Sequence, residues 1–256
     1  MPKTAASPAS PFARFDRLDA LRGAAIVWMA IYHFCFDLNH YGYFEPRQQF
    51  QLDAFWTLQR TCIVTLFLLC AGMGQAVAIT AGQTWARFWR RWAQVAGCAV
   101  LVSAGSALMF PRSWISFGVL HGIAVMLVIV RFAAPPLLAR GPAGRWVLAG
   151  VALAALVVPR LLHFAWADSR WTNWTGLVTR LPRTEDYVPL LPWLGVVLAG
   201  VLLADAVLRH RPALLAGTVP RALAPLAALG RWSLSFYMLH QPVLIGAILA
   251  WRWVTA

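Results

Sequence analysis

The chain has 256 residues, of which 60% are hydrophobic and only 12% are charged. A soluble domain usually has about a quarter of its residues charged, so this composition excludes an ordinary water-soluble fold. The net charge of +13 is typical of nucleic-acid binders, but the basic residues lie in scattered segments without a nucleic-acid motif, which excludes that class as well.

The apolar residues come in long runs, and a helix needs about 20 mostly apolar residues to cross a bilayer. Seven stretches meet this requirement, approximately 20–38, 56–80, 92–109, 116–132, 145–163, 187–206 and 232–251. Residues 133–144 are rich in Pro and Gly and are predicted to be a connector. Residues 219–230 are too short and too Pro-rich to span, and are expected to lie at the membrane interface. The sequence therefore predicts an all-α, polytopic transmembrane bundle of about seven spanning helices.

The predicted domain organisation is simple. Residues 1–12, rich in Ala, Ser and Pro, are expected to form a disordered cytoplasmic tail. Residues 13–256 form a single transmembrane domain, and the first span is expected to act as its own insertion signal. With the N-terminus in the cytoplasm, 14 of the 22 basic residues fall on the cytoplasmic side, which is the asymmetry that sets membrane orientation.

The cysteines and the longest connection carry little chemistry by themselves. Cys35, Cys62, Cys70 and Cys98 fall within predicted spans without metal-ligand spacing, so we expect apolar core residues and no metal site. The Trp-rich connection 164–186 is either an aromatic belt at the membrane interface or the lining of a substrate entrance.

The first span carries ionisable residues at depths where they are costly and usually functional. Arg22 and His33 are eleven positions apart, so they project from one helix face about 16 Å from each other along the axis. Asp37 follows His33 by four residues and is expected to hydrogen-bond to it. Such a pair fixes the tautomer of the imidazole, which can then act as a general base or a nucleophile. An arginine can bind a phosphate through two hydrogen bonds. The alternative is a structural helix clamp with a snorkelling arginine.

Three further clusters fall near the same depth. His121 lies about one turn into the fourth span, where a single histidine is as often a packing residue as a functional one. Asp186 precedes the sixth span and is placed to cap it. His240 and Gln241 lie in the last span, whose backbone Pro242 loosens, and we expect them to face a cavity or another helix.

Four blocks carry a family resemblance: RLDALRGAAIVWMAIYHFCFDL, FGVLHGIAV, DYVPLLPWLGVVLAG and GRWSLSFYMLHQPVL. Together they resemble the bacterial heparan-α-glucosaminide N-acetyltransferase-like family, from about Arg17 to Ile245. The spacing of Arg22 and His33 is also similar to that of the broader acyltransferase-3 membrane enzymes.

This resemblance implies transmembrane transfer of an acetyl group from cytoplasmic acetyl-CoA to an acceptor, a glycan or lipid-linked sugar, across the bacterial inner membrane. His33 and Asp37 would be catalytic, and the coenzyme phosphates would bind to Arg22, Arg87, Arg90 and Arg91. The acceptor or the developing oxyanion would be bound by His121, Asp186, Trp193, His240 and Gln241. Lysosomal relatives place an acetyl-carrying histidine after the first helix, where the nearest residue is His40, so direct and covalent routes both stay open.

Two other classes remain alongside the acyltransferase. A small proton-coupled transporter or flippase would use the same histidines as a relay, but would more often show internal repeats, which this sequence lacks. A structural or assembly protein would give no reason for Arg22, His33 and Asp37 to align. The compact size leaves homo-oligomerisation open, and membrane lipids are the expected surroundings.

Overall fold

A computed structural model describes residues 15–184 and 186–255. These residues form α-helices joined by connections of different lengths, with no β-strand among them, so the all-α prediction is confirmed. The helices are α1 (Asp16–His40), α2 (Ala54–Thr80), α3 (Trp85–Met109), α4 (Val119–Ala139), α5 (Pro142–Leu161), α6 (Leu190–His210), α7 (Ala224–Arg231) and α8 (Ser233–Thr255).

Seven of these helices are long and apolar enough to cross a membrane, which confirms the predicted number of spans. They have between 20 and 27 residues, whereas α7 has only 8 and rises about 12 Å. The segment 219–230 therefore does not span, as the sequence predicted. The predicted disordered tail at 1–12 lies outside the described residues.

Two helix boundaries differ from the prediction by more than the others, each by seven residues. Helix α3 begins at Trp85, seven residues before the predicted start, because Thr84 caps it by accepting a hydrogen bond from the Arg87 N–H at 3.4 Å. Helix α4 continues to Ala139 and includes Pro135 and Pro136, which were expected in a connector. Each proline has a φ close to that of a helix but has no N–H. Helix α4 can therefore continue through both prolines, with two backbone hydrogen bonds missing in this part of the helix.

Helices α1 and α8 run in the same direction and meet at both ends. Arg231, just before α8, forms an ion pair with Asp16 at 3.3 Å, and Arg252 lies 5.8 Å from the ring of Tyr41 near the end of α8. The bundle end that carries the start of α1 is called the N-terminal face below, and the opposite end is called the far face. The first and last spans are thus parallel neighbours, with α7 packed against the first turns of α1.

The central helices α2 and α6 pack with their backbones almost in contact. A Cβ atom added to Gly72 would lie 2.0 Å from the Val197 carbonyl oxygen, and one added to Gly200 would lie 2.3 Å from that of Leu69. Without a hydrophobic force between helices in lipid, such close approach through small residues is a main source of association. The buried core lies around this contact and includes Leu68, Met126, Val130, Val201 and Ala204.

The short helix α7 is seated on α1 in the same manner. Added Cβ atoms would lie 2.0 Å from the Leu226 carbonyl oxygen at Gly23 and 1.8 Å from the Asp19 carbonyl oxygen at Gly230. One residue, Trp232, separates α7 from α8, so this contact also determines where α8 begins relative to α1.

We expect Gly72→Ala to lower the thermal stability of the protein in detergent, because the new methyl group forces α2 and α6 apart. Overpacking of this kind typically costs about 1–3 kcal/mol. Gly97→Ala is the matched control, since its Cβ would meet no atom within 4 Å, and it should leave the melting temperature unchanged or raise it. Equal melting temperatures for wild type and Gly72→Ala would contradict the close contact.

Candidate functional site

Polar residues of α1 and α8 come together inside the bundle. The imidazole rings of His33 and His240 lie with their centroids 5.1 Å apart at an angle of 64°. One turn further along α1, the Asp37 carboxylate oxygen Oδ1 accepts a hydrogen bond from the Gln241 amide Nε2 at 3.3 Å. These four residues, His33, Asp37, His240 and Gln241, are called the histidine site below.

The structure corrects the predicted pairing within α1. His33 and Asp37 form no hydrogen bond with each other, although both are described and both face α8. Helix α8 instead supplies a separate partner for each of them, an imidazole for His33 and an amide for Asp37. Spacing along one helix indicates which side chains share a face, but a side chain on a neighbouring helix competes for the same atoms.

The arrangement predicted for His33 is found at His240. Its Nδ1 atom lies 2.7 Å from the Tyr237 carbonyl oxygen, which can only accept, so Nδ1 carries the proton of the neutral ring. The Nε2 atom is then unprotonated and has no hydrogen-bond partner in the protein. A fixed tautomer with a free basic nitrogen is the state that a general base requires.

Three buried polar atoms of the histidine site lack hydrogen-bond partners among the described residues. They are Oδ2 of Asp37, Nε2 of His240 and Oε1 of Gln241. Leaving one buried polar atom unpaired costs about 1–3 kcal/mol, and buried polar groups are normally paired. Three in one cluster therefore indicate a site shaped for a ligand and disfavour the alternative of a structural clamp.

Tyr237 borders the histidine site, and the sequence analysis gave it no role. Its ring centroid lies 5.6 Å from that of His240, and its side chain packs against both apolar clusters of the bundle. It is also within electrostatic reach of Asp186, which precedes α6. Its position three residues before His240, on the same side of α8, is the signal that would have identified it.

Asp186 caps a different helix from the one predicted. Its Oδ2 atom accepts a hydrogen bond at 2.7 Å from the N–H of Val119, the first residue of α4, whereas α6 begins after Pro189. Gly118 makes room for the carboxylate, because a Cβ there would lie 2.3 Å from Oδ2. Burial raises the pKa of Asp186 from 3.8 to about 6, and the Val119 N–H and the charge of Arg60 only partly oppose this shift.

His121 is bonded through both ring nitrogens. Nδ1 accepts from the Gly118 N–H at 3.2 Å, so Nε2 carries the proton and donates to the Ser103 hydroxyl at 3.1 Å. Ser103 in turn donates to the carbonyl of Ile115 at 2.6 Å. These contacts hold the start of α4 in place, and they leave the imidazole of His121 without the free nitrogen that His240 has.

The arginines predicted to bind a coenzyme lie on the N-terminal face. Arg22 forms an ion pair with Asp19 at 2.8 Å, and its guanidinium is within electrostatic reach of Arg91. The missing side chain of Gly74 leaves room for it, since a Cβ there would lie 3.0 Å from Arg22 Nη2. Arg87 and Arg90 are exposed on the first turns of α3.

Two other predicted residues lie apart from the histidine site. Trp193 is half-buried against the main apolar core, and within the described residues no hydrogen bond or ring contact joins it to the histidines. His40, two turns after His33, is exposed at the end of α1, where it lines a cavity of about 420 Å³ with Arg47 and Gln48.

The fold and the paired imidazoles define a multi-pass membrane protein with a polar site inside the bundle, where the imidazoles can take up and release protons. A family model described as heparan-alpha-glucosaminide N-acetyltransferase, catalytic, matches residues 14–242. The chain belongs to this family, as its four sequence blocks indicated. No curated protein and no solved structure matches the chain significantly.

We expect Asp186→Asn to change how the stability of the protein depends on pH. The folded state binds the Asp186 proton more tightly than the unfolded chain, so this residue contributes stability below pH 3.8 that is lost as the pH rises through about 6. Melting temperatures of the wild type should show this loss across that interval, and those of Asp186→Asn should not.

Asp168→Asn is the matched control for this measurement. Hydrogen bonds from Thr179 and Arg180 hold the pKa of Asp168 below its usual value, so its contribution is lost as the pH falls, which is the opposite direction. The control should keep the wild-type decline toward neutral pH. The same decline in Asp186→Asn would show that another group causes it.

Proposed function

We propose that the protein transfers an acetyl group from acetyl-CoA in the cytoplasm to a glycan or lipid-linked sugar on the periplasmic side of the bacterial inner membrane. Membership of a family of membrane acetyltransferases that use acetyl-CoA as donor supports the reaction class. The observation that carries the proposal is the histidine site itself, where two imidazoles meet and three buried polar atoms, one of them His240 Nε2, have no partner among the described residues.

The proposed orientation places the N-terminal face in the cytoplasm. Twelve of the 20 basic residues that the structure describes fall on that side, as the positive-inside rule predicts. Several of them are paired with acids, including Arg145 and Arg209 with Asp205 at 2.7 and 3.0 Å. Arg87, Arg90 and Arg91 take part in none of the described ion pairs, so their charge is available to an incoming anion.

The residues on the N-terminal face fit the phosphates of a coenzyme. Arg22 and Arg91 are within electrostatic reach of each other, and an anion between two guanidiniums relieves their repulsion. Arg22 lies about 16 Å below His33 along α1, a distance that the pantetheine arm would cover.

The histidine site would supply the acid–base chemistry. His240 Nε2 takes the proton of the acceptor hydroxyl or amine while the acceptor atom attacks the acetyl carbonyl carbon. A bond from carbon to oxygen or nitrogen forms, the carbon–sulfur bond breaks, and the proton passes to the coenzyme thiolate. The Gln241 amide can donate to the developing oxyanion, and Asp37 holds that amide in position.

The second imidazole allows a two-step route as well. His33 lies close enough to His240 for both rings to contact one substrate. In this route a ring nitrogen of His33 attacks the acetyl carbonyl carbon, the carbon–sulfur bond breaks and the coenzyme leaves as its thiol. The acceptor then attacks the same carbon, the bond to the His33 nitrogen breaks, and the acceptor proton passes to the freed imidazole. Both routes need a free imidazole nitrogen at this depth. Both ring nitrogens of His121 are already bonded, so its role in this proposal is to hold the start of α4 in position.

We expect Arg22→Ala to weaken acetyl-CoA binding by about ten- to a hundredfold, which corresponds to the loss of one charge-assisted hydrogen bond. The measurement is a titration of the purified protein in detergent. Arg140→Ala, an exposed arginine on the same face, is the control and should bind as the wild type does. Absence of acetyl-CoA binding by the wild type at millimolar ligand would refute the proposed function and favour the transporter.

Replacing either histidine of the site should abolish turnover without preventing donor binding. We expect His240→Ala and His33→Ala to slow thioester cleavage by about 10²–10⁴-fold, the usual contribution of a general acid or base. Release of the free thiol measures this rate, and acetyl-CoA titration confirms that each variant still binds. His163→Ala, an exposed loop histidine, should cleave at the wild-type rate. Wild-type turnover in both site variants would remove the histidine site from the mechanism.

A further inference from the structure

The far face carries a second pocket, separate from the histidine site. It has a volume of about 250 Å³ and lies between the 110–118 connection, which precedes α4, and the 162–189 connection, which precedes α6. Small-molecule sites usually measure about 300–1,000 Å³, so this pocket suits one sugar ring or one charged group and not a whole oligosaccharide.

The pocket is strongly basic. Arg112, Arg170 and Arg183 line it together with one acid, Asp168. Among the described ion pairs, none involves these three arginines. The guanidinium of Arg170 lies 4.8 Å from the ring of Trp114, which positions it without neutralising it. Among the described lining residues, three positive charges thus face one negative charge.

The carboxylate of Asp168 already has hydrogen-bond partners on both oxygens. Asp168 accepts hydrogen bonds from the backbone N–H groups of Thr179 at 2.6 Å and Arg180 at 3.3 Å, and from the Thr179 hydroxyl. All these donors belong to the 162–189 connection, and none of the described ion pairs joins Asp168 to Arg112, Arg170 or Arg183. The positive charge of the pocket therefore remains for an anion from outside.

Buried polar contacts tie the pocket to the residues that border the histidine site. Asn173 lines the pocket, is only 3% exposed, and its Oδ1 atom has no partner, while its carbonyl accepts from the Tyr187 hydroxyl at 2.7 Å. The hydroxyl of Thr184, also in the lining, donates at 3.2 Å to the carbonyl of Trp114 or Asp186. Asp186 is also within electrostatic reach of Tyr237, which borders the histidine site.

We propose that this pocket binds the anionic group of an acidic acceptor sugar, either a uronate carboxylate or a sugar phosphate. Arginine grips both oxyanions through two parallel hydrogen bonds, and the unpartnered Asn173 oxygen can accept from a sugar hydroxyl. The assignment of the ligand as an acceptor rests on the proposed acetyl transfer, whereas the preference for an anion rests on the pocket alone. The acceptor is thereby held on the far face while its reactive hydroxyl or amine extends toward the histidine site.

The test uses the purified full chain in a neutral detergent without coenzyme. Binding of glucuronate, glucose 1-phosphate and uncharged glucose is followed by ligand-observed NMR. We expect both anionic sugars to bind and glucose to bind at least tenfold more weakly. Arg112→Gln, Arg170→Gln and Arg183→Gln should each weaken the anionic sugars by about tenfold, the effect of losing one charge-assisted hydrogen bond.

Arg180→Gln is the matched control, since it removes the same charge from the same connection outside the pocket lining. It should bind both probes as the wild type does. Equal binding of glucose and glucuronate, or an equal loss in Arg180→Gln, would overturn the proposal and point to diffuse surface charge. Displacement of the probes by phosphatidylglycerol added to the micelles would assign the pocket to a lipid headgroup and also overturn it.

Failure of this proposal can be distinguished from failure of the proposed function. Thioester cleavage is assayed separately on the same preparation, with acetyl-CoA and no sugar. Cleavage without binding of either anionic sugar refutes the pocket assignment alone. Arginine-dependent binding of the probes without any binding of acetyl-CoA supports the anion pocket and refutes acetyl transfer.

Discussion

The contact between α1 and α7 is the constraint on which the histidine site depends. Gly23 and Gly230 let the two backbones meet at distances that any side chain would prevent. Because a single residue joins α7 to α8, seating α7 on α1 also fixes the start of α8 beside the start of α1. The ion pair between Asp16 and Arg231 lies at this junction. His240 and Gln241 then face His33 and Asp37 as a consequence of where α8 begins.

In a lipid environment the polar side chains of the histidine site depend on partners within the bundle. In hydrocarbon no water can satisfy a polar side chain, so each polar residue must find a partner within the bundle or face a cavity. Asp37 and Gln241 satisfy one atom each through their shared hydrogen bond and leave another atom unpaired. His240 does the same through the Tyr237 carbonyl. The site is thus half satisfied by the protein, and the remaining half is offered to a ligand.

Much of the fold and part of the site could be predicted from the sequence. Apolar runs of about 20 residues identified all seven spans, and ionisable residues at membrane depth identified His33, Asp37, His240 and Gln241 as residues of interest. The pairing of these residues could not be predicted, because Asp37 and Gln241 are 204 positions apart. For the same reason the sequence assigned Asp186 to the helix that follows it, whereas the structure places it at α4, 67 positions away in the chain. Sequence spacing indicates which residues share a helix face and which can cap a neighbouring helix. The actual hydrogen-bond partners depend on how the helices pack, which the spacing does not show.

The parallel contact of α1 and α8 also has a consequence for biogenesis. Membrane helices are inserted in the order in which they are synthesised, and N-terminal segments fold first. A nascent chain that has inserted six spans already holds Arg22, His33 and the arginines of α3, but it lacks His240, Gln241 and Tyr237. A chain that stops before α8 therefore cannot assemble the histidine site, since two of its four residues lie on that helix. The chemistry of the histidine site therefore appears only after α8 has packed against α1.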